Sequence, residues 1–176
     1  MNKDKIIVAV TLSCMLLCGG IPASADTRNY DVDRDMVFFD DISDEELSVM
    51  AMTVYGECAG CDDETIKAVA CVVRNRAAVM GMSISDICCQ RGQFYRATDE
   101  KIKETKRYEQ IREICQDVLL GEDVFKNGRV IAFKSDIGGI HSDEFLGLDY
   151  FMSIGAYSFY MAPDMDFQYD ESVTRM

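Results

Sequence analysis

The segment at positions 62–81, DDETIKAVACVVRNRAAVMG, decides the fold because it has the composition of a strongly apolar helix with clear ends. Asp62 or Asp63 can cap its N-terminus, and Gly81 stands where glycine commonly ends a helix. Apolar residues cover most of its circumference, which is typical of a helix enclosed by other elements. The sequence therefore predicts a central helix that ends at about Met80. Its apolar positions are Ile66, Ala68, Val69, Ala70, Cys71, Val72, Val73 and Ala77.

An earlier helix ends close to a single carboxylic acid. Apolar residues recur at helical spacing between Asp44 and Gly56, and Ser43 or Asp44 can cap the start. We expect Gly56 and Gly60 to end this helix, so that Glu57 lies at or near its C-terminus. The helix dipole and an apolar lining both disfavour a carboxylate there, so the pKa of Glu57 should be raised. A protonated Glu57 would suit general acid catalysis, and a solvated surface glutamate is the alternative.

Further helical segments follow the central helix. The pattern predicts a short helical turn over Ser83–Cys89, a loop over Gln90–Thr98 and a helix over Asp99–Leu120. This last helix is expected to break near Lys106, and Gly121 closes it.

The C-terminal part of the chain changes to strand patterns. The apolar run Val130–Phe133 predicts a buried strand, and the aromatic-rich segment Ser153–Met161 predicts a second one. Helices followed by two short strands indicate an α+β fold that is mainly helical, with a small strand element. The length suits one domain with a substantial core, and we expect a monomer.

The N-terminus has the pattern of a secretory signal peptide. Lys3 and Lys5 precede an apolar run from Ile6 to Leu17, and the small residues Ala23-Ser24-Ala25 provide a cleavage site. The run is too short to span a bilayer comfortably, so we expect no stable membrane insertion after cleavage of residues 1–25. The sequence thus predicts a secreted, extracytoplasmic protein.

The mature chain is strongly acidic. The formal net charge of the full sequence is −13, which argues against nucleic acid as a partner. Much of the acidic surplus lies at the ends, in an expected N-terminal arm (26–43) and C-terminal tail (162–176) that we interpret as solvated. Between them, residues 44–161 form the expected catalytic domain.

Six cysteines remain after cleavage of the signal peptide. In an exported protein this number favours disulfides, although the pairing cannot be chosen from sequence. Cys58-x-x-Cys61 could also be a redox pair or half of a zinc site. The only histidine, His141, is distant in sequence, and Cys88-Cys89 lack ligand spacing, so we expect no metal and no cofactor. The six are Cys58, Cys61, Cys71, Cys88, Cys89 and Cys115.

Four motifs occur in order along the chain. They are Tyr55-Gly56-Glu57, the helix end 70–76 (ACVVRNR), Gln90-Arg91-Gly92-Gln93-Phe94 and the segment 154–160 (IGAYSFY). In this order they resemble the spore cortex-lytic enzyme and cell wall hydrolase family (SleB/CwlJ type). The resemblance covers roughly residues 45 to 160, and the first and third motifs are its most specific parts. It implies a lysozyme-like or lytic-transglycosylase-like architecture.

The resemblance also implies a peptidoglycan lytic transglycosylase with Glu57 as its catalytic residue. Most glycosidases use two carboxylates, whereas this motif supplies one. One acid suffices if the C6 hydroxyl of N-acetylmuramic acid attacks its own anomeric carbon. Glu57 would protonate the glycosidic oxygen and then take the proton of that hydroxyl, leaving a 1,6-anhydro sugar at the cut MurNAc-GlcNAc bond.

Four further residues are expected to bind the glycan strand. Gln93 can donate and accept hydrogen bonds, and the flat ring of Phe94 suits contact with a sugar, although Phe94 could equally be core. Asn75 could orient the acid or a sugar, or satisfy a neighbouring turn. Tyr157 stands where the family usually has histidine.

The turn after Glu57 also departs from the family. An arginine and a second glutamate normally follow, whereas here the turn is Cys58-Ala59-Gly60-Cys61, and the chain contains no tryptophan. We expect a disulfide that includes Cys58 or Cys61, and a bridge between these two would fix the loop. These departures leave open whether the substrate is spore cortex or vegetative wall.

Three other functions remain open at this point. A muramidase that uses water would take Asp136, Asp143 or Asp149 as its base. An N-acetylmuramoyl-L-alanine amidase would normally need a zinc site, which His141 alone cannot build. A catalytically silent cell-wall-binding protein is the alternative outside enzymes.

Overall fold

A computed structural model of the chain describes residues 39, 42–136, 144–145 and 147–162. The expected signal peptide, nearly all of both acidic ends, His141 and Asp143 lie outside these residues. The described chain begins with four α-helices and a 3-10 helix between the last two. They are α1 (Asp44–Cys58), α2 (Asp63–Met80), α3 (Ile84–Cys89), the 3-10 helix (Glu100–Glu104) and α4 (Lys106–Leu119).

A small antiparallel sheet follows the helices. Strands β1 (Val130–Ser135), β4 (Tyr157–Met161) and β3 (Leu148–Ile154) lie side by side in that order. The two-residue strand β2 (Glu144–Phe145) extends the sheet beside β3. The predicted α+β, mainly helical fold is therefore confirmed.

The prediction of one strand over Ser153–Met161 is wrong. A two-residue turn divides this segment, so that Ile154 pairs with Tyr157 and the chain reverses between β3 and β4. Gly155 supports the turn with a positive φ of 58°, a conformation in which other residues are strained. The sequence pattern missed the turn because aromatic residues continue on both sides of it.

Side-chain caps set the starts of the helices. Ser43 accepts a hydrogen bond from the Glu46 N–H, and Asp62 accepts one from the Thr65 N–H. Gly81 ends α2 in the left-handed conformation, as the sequence predicts. The expected break near Lys106 is also present, because Thr105 ends the 3-10 helix and caps α4.

Helix α2 lies in the middle of the domain. It packs against α1, α3, α4 and β1, and the eight apolar positions from Ile66 to Ala77 named above are all buried, which confirms the predicted central helix. Phe39 adds to the same core and donates its N–H to the Leu119 carbonyl at 2.9 Å. The interpretation of residues 26–43 as a solvated arm is therefore wrong at Phe39. None of the helices in the described residues is long and apolar enough to cross a bilayer.

Candidate active site

Glu57 lies in the last turn of α1, and its side chain is buried. Only 9% of the residue is exposed. Burial raises the pKa of Glu57, and a hydrogen bond from the Tyr95 N–H to Oε1 partly opposes that shift. Among the described residues no donor reaches Oε2 and no charged group contributes to the shift. The expected position at a helix end and the raised pKa are both present.

Gly56 allows the backbone of a distant loop to reach Glu57. A Cβ atom at this position would lie 2.0 Å from the Tyr95 carbonyl oxygen and 2.8 Å from the Ala97 nitrogen. Ala97 donates its N–H to the Met52 carbonyl at 3.1 Å, so the loop runs directly across α1. We expected Gly56 to end the helix, but α1 continues to Cys58. Gly56 instead permits the contact that holds the carboxyl group of Glu57.

Tyr157 contacts Glu57 from the sheet. Its hydroxyl donates a hydrogen bond to the backbone carbonyl of Glu57 at 3.1 Å. Burial is the main cause of a raised pKa at Tyr157, and the neighbouring Cys61 thiol adds to it. Tyr157 therefore keeps its proton at neutral pH and fixes the end of α1 as a hydrogen-bond donor.

Gln93 and Phe94 are held by an arginine that the sequence prediction overlooked. The Nη2 atom of Arg76 donates to Gln93 Oε1 at 2.7 Å and to Gln90 Oε1 at 3.3 Å. The guanidinium carbon lies 5.2 Å from the centre of the Phe94 ring. Arg76 thus fixes the turn that leads into Tyr95, the residue whose N–H contacts Glu57.

An aromatic strip connects this turn to Tyr157. The ring centres of Phe94 and Phe133 are 6.2 Å apart, and those of Phe133 and Tyr157 are 5.8 Å apart. Phe94 and Tyr157 are half-buried, whereas Phe133 belongs to the core. Phe94 thus packs against the core and retains exposed surface.

The contacts of Asn75 are those of a structural residue. It is fully buried, and its Oδ1 accepts hydrogen bonds from Nε and Nη2 of Arg74. Its Nδ2 donates to the carbonyls of Asn127 and Val130 at 3.2 and 3.1 Å. Both donors and both lone pairs of the amide are in use. The expected contact with a sugar has no support in this arrangement, and the alternative role of satisfying a neighbouring turn fits it.

The turn after Glu57 is fixed by Arg107 of α4. Its Nε donates to the Ala59 carbonyl at 2.9 Å, and its Nη2 donates to the Cys61 carbonyl at 2.5 Å. No two of the six cysteines lie at disulfide distance, and all six are unpaired. The expected disulfide at Cys58 or Cys61 is not formed here and stays a prediction for the oxidised protein.

In the described part of the chain, the other candidate carboxylates do not contact Glu57. The Asp136 carboxylate accepts a hydrogen bond from Ser158 at 2.7 Å. Because successive strand residues face opposite sides of a sheet, Ser158 and Asp136 lie on the face opposite to Tyr157. Asp149 pairs with Met161, about 13 Å along the strand from Tyr157. Asp143 lies outside the described residues.

Metal ligands do not cluster in the described ranges. Across residues 39, 42–136, 144–145 and 147–162, no three His, Cys, Asp or Glu side chains are arranged to hold an ion. The described candidate site comprises one buried acid, the backbone N–H of Tyr95, the Tyr157 hydroxyl and the turn held by Arg76.

Sequence reasoning missed four of the groups that build this site: Gly56, Arg76, Arg107 and the Tyr95 N–H. Gly56 was assigned to the helix end, and Arg76 and Arg107 had no assigned role. Signals for two of them were present, because a glycine directly before the acid and an arginine in an otherwise apolar helix both call for a specific contact. The Tyr95 N–H had no signal, since any residue except proline supplies one.

The described residues form an α+β domain that carries a buried carboxylic acid. No cation among these residues pairs with the acid, and an aromatic strip lies beside it. Searches of protein-family models, of curated proteins and of solved structures find no match to this chain.

Proposed function

We propose that this protein is a secreted enzyme that cleaves peptidoglycan as a lytic transglycosylase, with Glu57 as its only catalytic carboxyl group. The proposal includes kinship with the spore cortex-lytic and cell wall hydrolase family and a lysozyme-like architecture for the helical part. The glycan strand of the wall is its substrate and partner, and no cofactor takes part.

The observation that carries the proposal is the environment of Glu57. Its carboxyl group is buried at the C-terminal end of a helix, and burial raises its pKa. A general acid needs such a pKa, because it must hold a proton near neutral pH and release it in the transition state. The Tyr95 N–H occupies Oε1, so the proton belongs on Oε2, which no described donor contacts.

The same arrangement supports both halves of the reaction. Protonated Oε2 donates to the glycosidic oxygen as the bond to the anomeric carbon breaks. The Tyr95 N–H then stabilises the carboxylate until it takes a proton from the C6 hydroxyl of N-acetylmuramic acid, which closes the 1,6-anhydro ring. No second carboxylate is required, which agrees with the positions of Asp136 and Asp149 described above.

The experiment measures how fast a suspension of purified peptidoglycan loses turbidity when it is incubated with the mature protein or with its Glu57→Gln variant. The amide keeps the size of the side chain and can still accept the Tyr95 N–H, but it cannot transfer a proton. We expect lysis to fall at least about 100-fold, because a positioned acid-base group contributes about 10²–10⁴-fold. Glu64→Gln, the same change at an exposed position of α2, is the matched control and should lyse normally.

Two outcomes would contradict the proposal. Residual lysis by Glu57→Gln above about a hundredth of wild type, with an unchanged melting curve, would exclude Glu57 as the essential acid. If the unaltered protein sediments together with the wall but does not lyse it, the cell-wall-binding alternative would be favoured.

A further inference from the structure

Tyr95 carries an exposed aromatic ring beside the buried acid. In the described part of the chain two large hydrophobic residues are exposed, Tyr95 at 57% and Leu120 at 68%. Leu120 follows α4 and lies about 20 Å along that helix from Arg107, which holds the turn after Glu57. A single exposed hydrophobic residue is ordinary on a protein surface. The position of Tyr95, rather than its exposure, therefore calls for an explanation.

The backbone of Tyr95 is fixed on both sides of its Cα atom. On one side its N–H donates to Oε1 of Glu57. On the other side its carbonyl packs against Gly56, where a Cβ atom would lie 2.0 Å from the carbonyl oxygen. Two residues later, Ala97 donates its N–H to the Met52 carbonyl at 3.1 Å and ties the same loop to α1. The ring therefore extends from a rigid backbone, so that less entropy is lost when a ligand binds it.

The covalent geometry of tyrosine limits how far this ring can lie from the acid. The centre of a tyrosine ring lies within about 5 Å of its own backbone nitrogen in every side-chain rotamer. The nitrogen of Tyr95 is in turn at hydrogen-bond distance from Oε1 of Glu57, which adds about 3 Å. The centre of the ring therefore lies within about 8 Å of the carboxyl group. When Glu57 protonates a glycosidic oxygen, the adjoining sugar rings are within reach of Tyr95.

An aromatic ring at this place suits the apolar face of a sugar. The C–H groups of a pyranose form a flat apolar patch, whereas its hydroxyl groups project around the rim. An aromatic ring supplies a large rigid contact area for such a patch, and the phenol group of tyrosine can donate or accept a hydrogen bond at the rim. Ligand sites combine aromatic walls with a few placed polar groups in this way. Tyr95 supplies both, since its N–H contacts the acid and its ring offers the wall.

We propose that the ring of Tyr95 packs against a sugar ring next to the bond that Glu57 cleaves, which makes Tyr95 a binding residue for the glycan strand. This inference rests on the proposed function for the identity of the polymer. The part of the wall that the ring binds is the glycan and not the stem peptide, because the C–H face of a pyranose makes the contact. One residue then positions the acid through its backbone and the substrate through its side chain, and such orientation of the reacting groups lowers the barrier.

The first test uses the absence of tryptophan from the chain. In a Glu57→Gln background, which prevents turnover, Tyr95→Trp introduces a single tryptophan at the proposed contact and keeps an aromatic ring there. Short soluble glycan strands, freed of their stems by an amidase, are titrated into this protein. We expect the tryptophan emission to move to shorter wavelength, because the ring leaves water when it packs against a sugar. Leu120→Trp in the same background carries the fluorophore at the other exposed position, and its emission should stay unchanged. Free stem peptides should change neither emission.

The second test is co-sedimentation of Glu57→Gln proteins with insoluble peptidoglycan. We expect Tyr95→Ala to raise the half-saturating wall concentration about tenfold, and Tyr95→Phe to change it less than about twofold, because the ring rather than the hydroxyl makes the contact. Both variants keep the backbone N–H, so a loss in Tyr95→Ala is assigned to the side chain. Leu120→Ala, which removes the other exposed hydrophobic side chain, is the matched control and should bind like its parent. Melting curves that match the parent establish that the variants are folded.

Any of three results would overturn the inference. One is an emission from Tyr95→Trp that does not respond to glycan strands, or that responds equally to free stem peptides. Another is unchanged wall binding by Tyr95→Ala, or an equal loss in Leu120→Ala. The third is a loss in Tyr95→Phe as large as that in Tyr95→Ala, which would assign the effect to the hydroxyl group. Because both tests measure binding without cleavage, failure of the proposed enzymatic function would appear separately, as absence of Glu57-dependent lysis.

Discussion

Two carboxyl groups with buried side chains, Asp123 and Glu57, have opposite environments. The side chain of Asp123 is 1% exposed, and its Oδ2 lies 2.5 Å from Arg74 Nη2. Its Oδ1 accepts the N–H groups of Phe125 and Lys126. Glu57 has one backbone donor and no cation among the described residues, and burial raises its pKa.

The difference separates a carboxylate with structural contacts from the one that we propose as the catalytic acid. A cation and two N–H groups compensate for the burial of the Asp123 carboxylate. Glu57 lacks that compensation, and burial raises its pKa, which is the property that the proposed general acid needs. The contacts of Arg74 and Asn75 therefore stabilise the fold, and the end of α1 carries the residue to which we assign catalysis.

The largest expected effect comes from breaking the structural network. Arg74→Met leaves the Asp123 carboxylate buried without its cation, which should lower the free energy of unfolding by about 3–5 kcal/mol. Urea denaturation followed by circular dichroism measures this loss. The exposed pair partner Arg112→Met is the comparison, with an expected change of about 0–1 kcal/mol. A loss below about 1 kcal/mol for Arg74→Met would contradict the structural role.

A smaller effect is expected from Gly56→Ala, which changes the contact beside the proposed catalytic acid. The new methyl group would collide with the Tyr95 carbonyl, so the loop must move away from Glu57. We expect a stability loss of about 1–3 kcal/mol and a fall in lysis of about 10–100-fold. In Gly60→Ala the methyl group meets nothing within 4 Å, and both quantities should stay near wild type. Normal lysis by Gly56→Ala would mean that the Tyr95 contact is dispensable.

The smallest expected effect concerns stability as a function of pH. Because the fold raises the pKa of Glu57 above its ordinary value of 4.5, the folded state binds this proton more tightly than the unfolded chain. Stability conferred by the protonated group is present at low pH and is lost as pH rises from the ordinary towards the raised pKa. Glu57→Gln removes this loss, so the variant should gain stability relative to wild type between pH 4 and pH 7. Urea unfolding curves of both proteins at pH 4 and pH 7 measure this gain. The same stability difference between variant and wild type at both pH values would contradict the raised pKa.

Much of the fold could be predicted because its determinants are local. Caps at Ser43 and Asp62, the left-handed Gly81 and the apolar surface of α2 act within a few residues, so the sequence pattern carries them. The position of Glu57 near a helix end followed from the same local signals. The turn at Gly155 was missed because the aromatic pattern on its two sides is continuous.

The site was predicted less completely because its contacts are distant in sequence. The Tyr95 N–H and Glu57 are 38 residues apart, and the Tyr157 hydroxyl and the Glu57 carbonyl are 100 apart. Tertiary packing alone brings such groups together. Asn75 illustrates the converse: a polar residue in an apolar helix predicts a specific partner, but only the structure identifies that partner as Arg74 and the β1 backbone rather than a sugar.

The most direct test of the central claim, that Glu57 acts alone, is the chemical form of the cleaved ends. Peptidoglycan digested with the mature protein is separated by chromatography, and the fragments are weighed by mass spectrometry. If the C6 hydroxyl captures the anomeric carbon, the fragments end in 1,6-anhydromuramic acid and are about one water lighter per cut than hydrolysed ends. We predict anhydro ends as the main product. Reducing muramic ends as the main product would contradict the account, because a second carboxylate would then have to activate water, and free stem peptides would indicate an amidase.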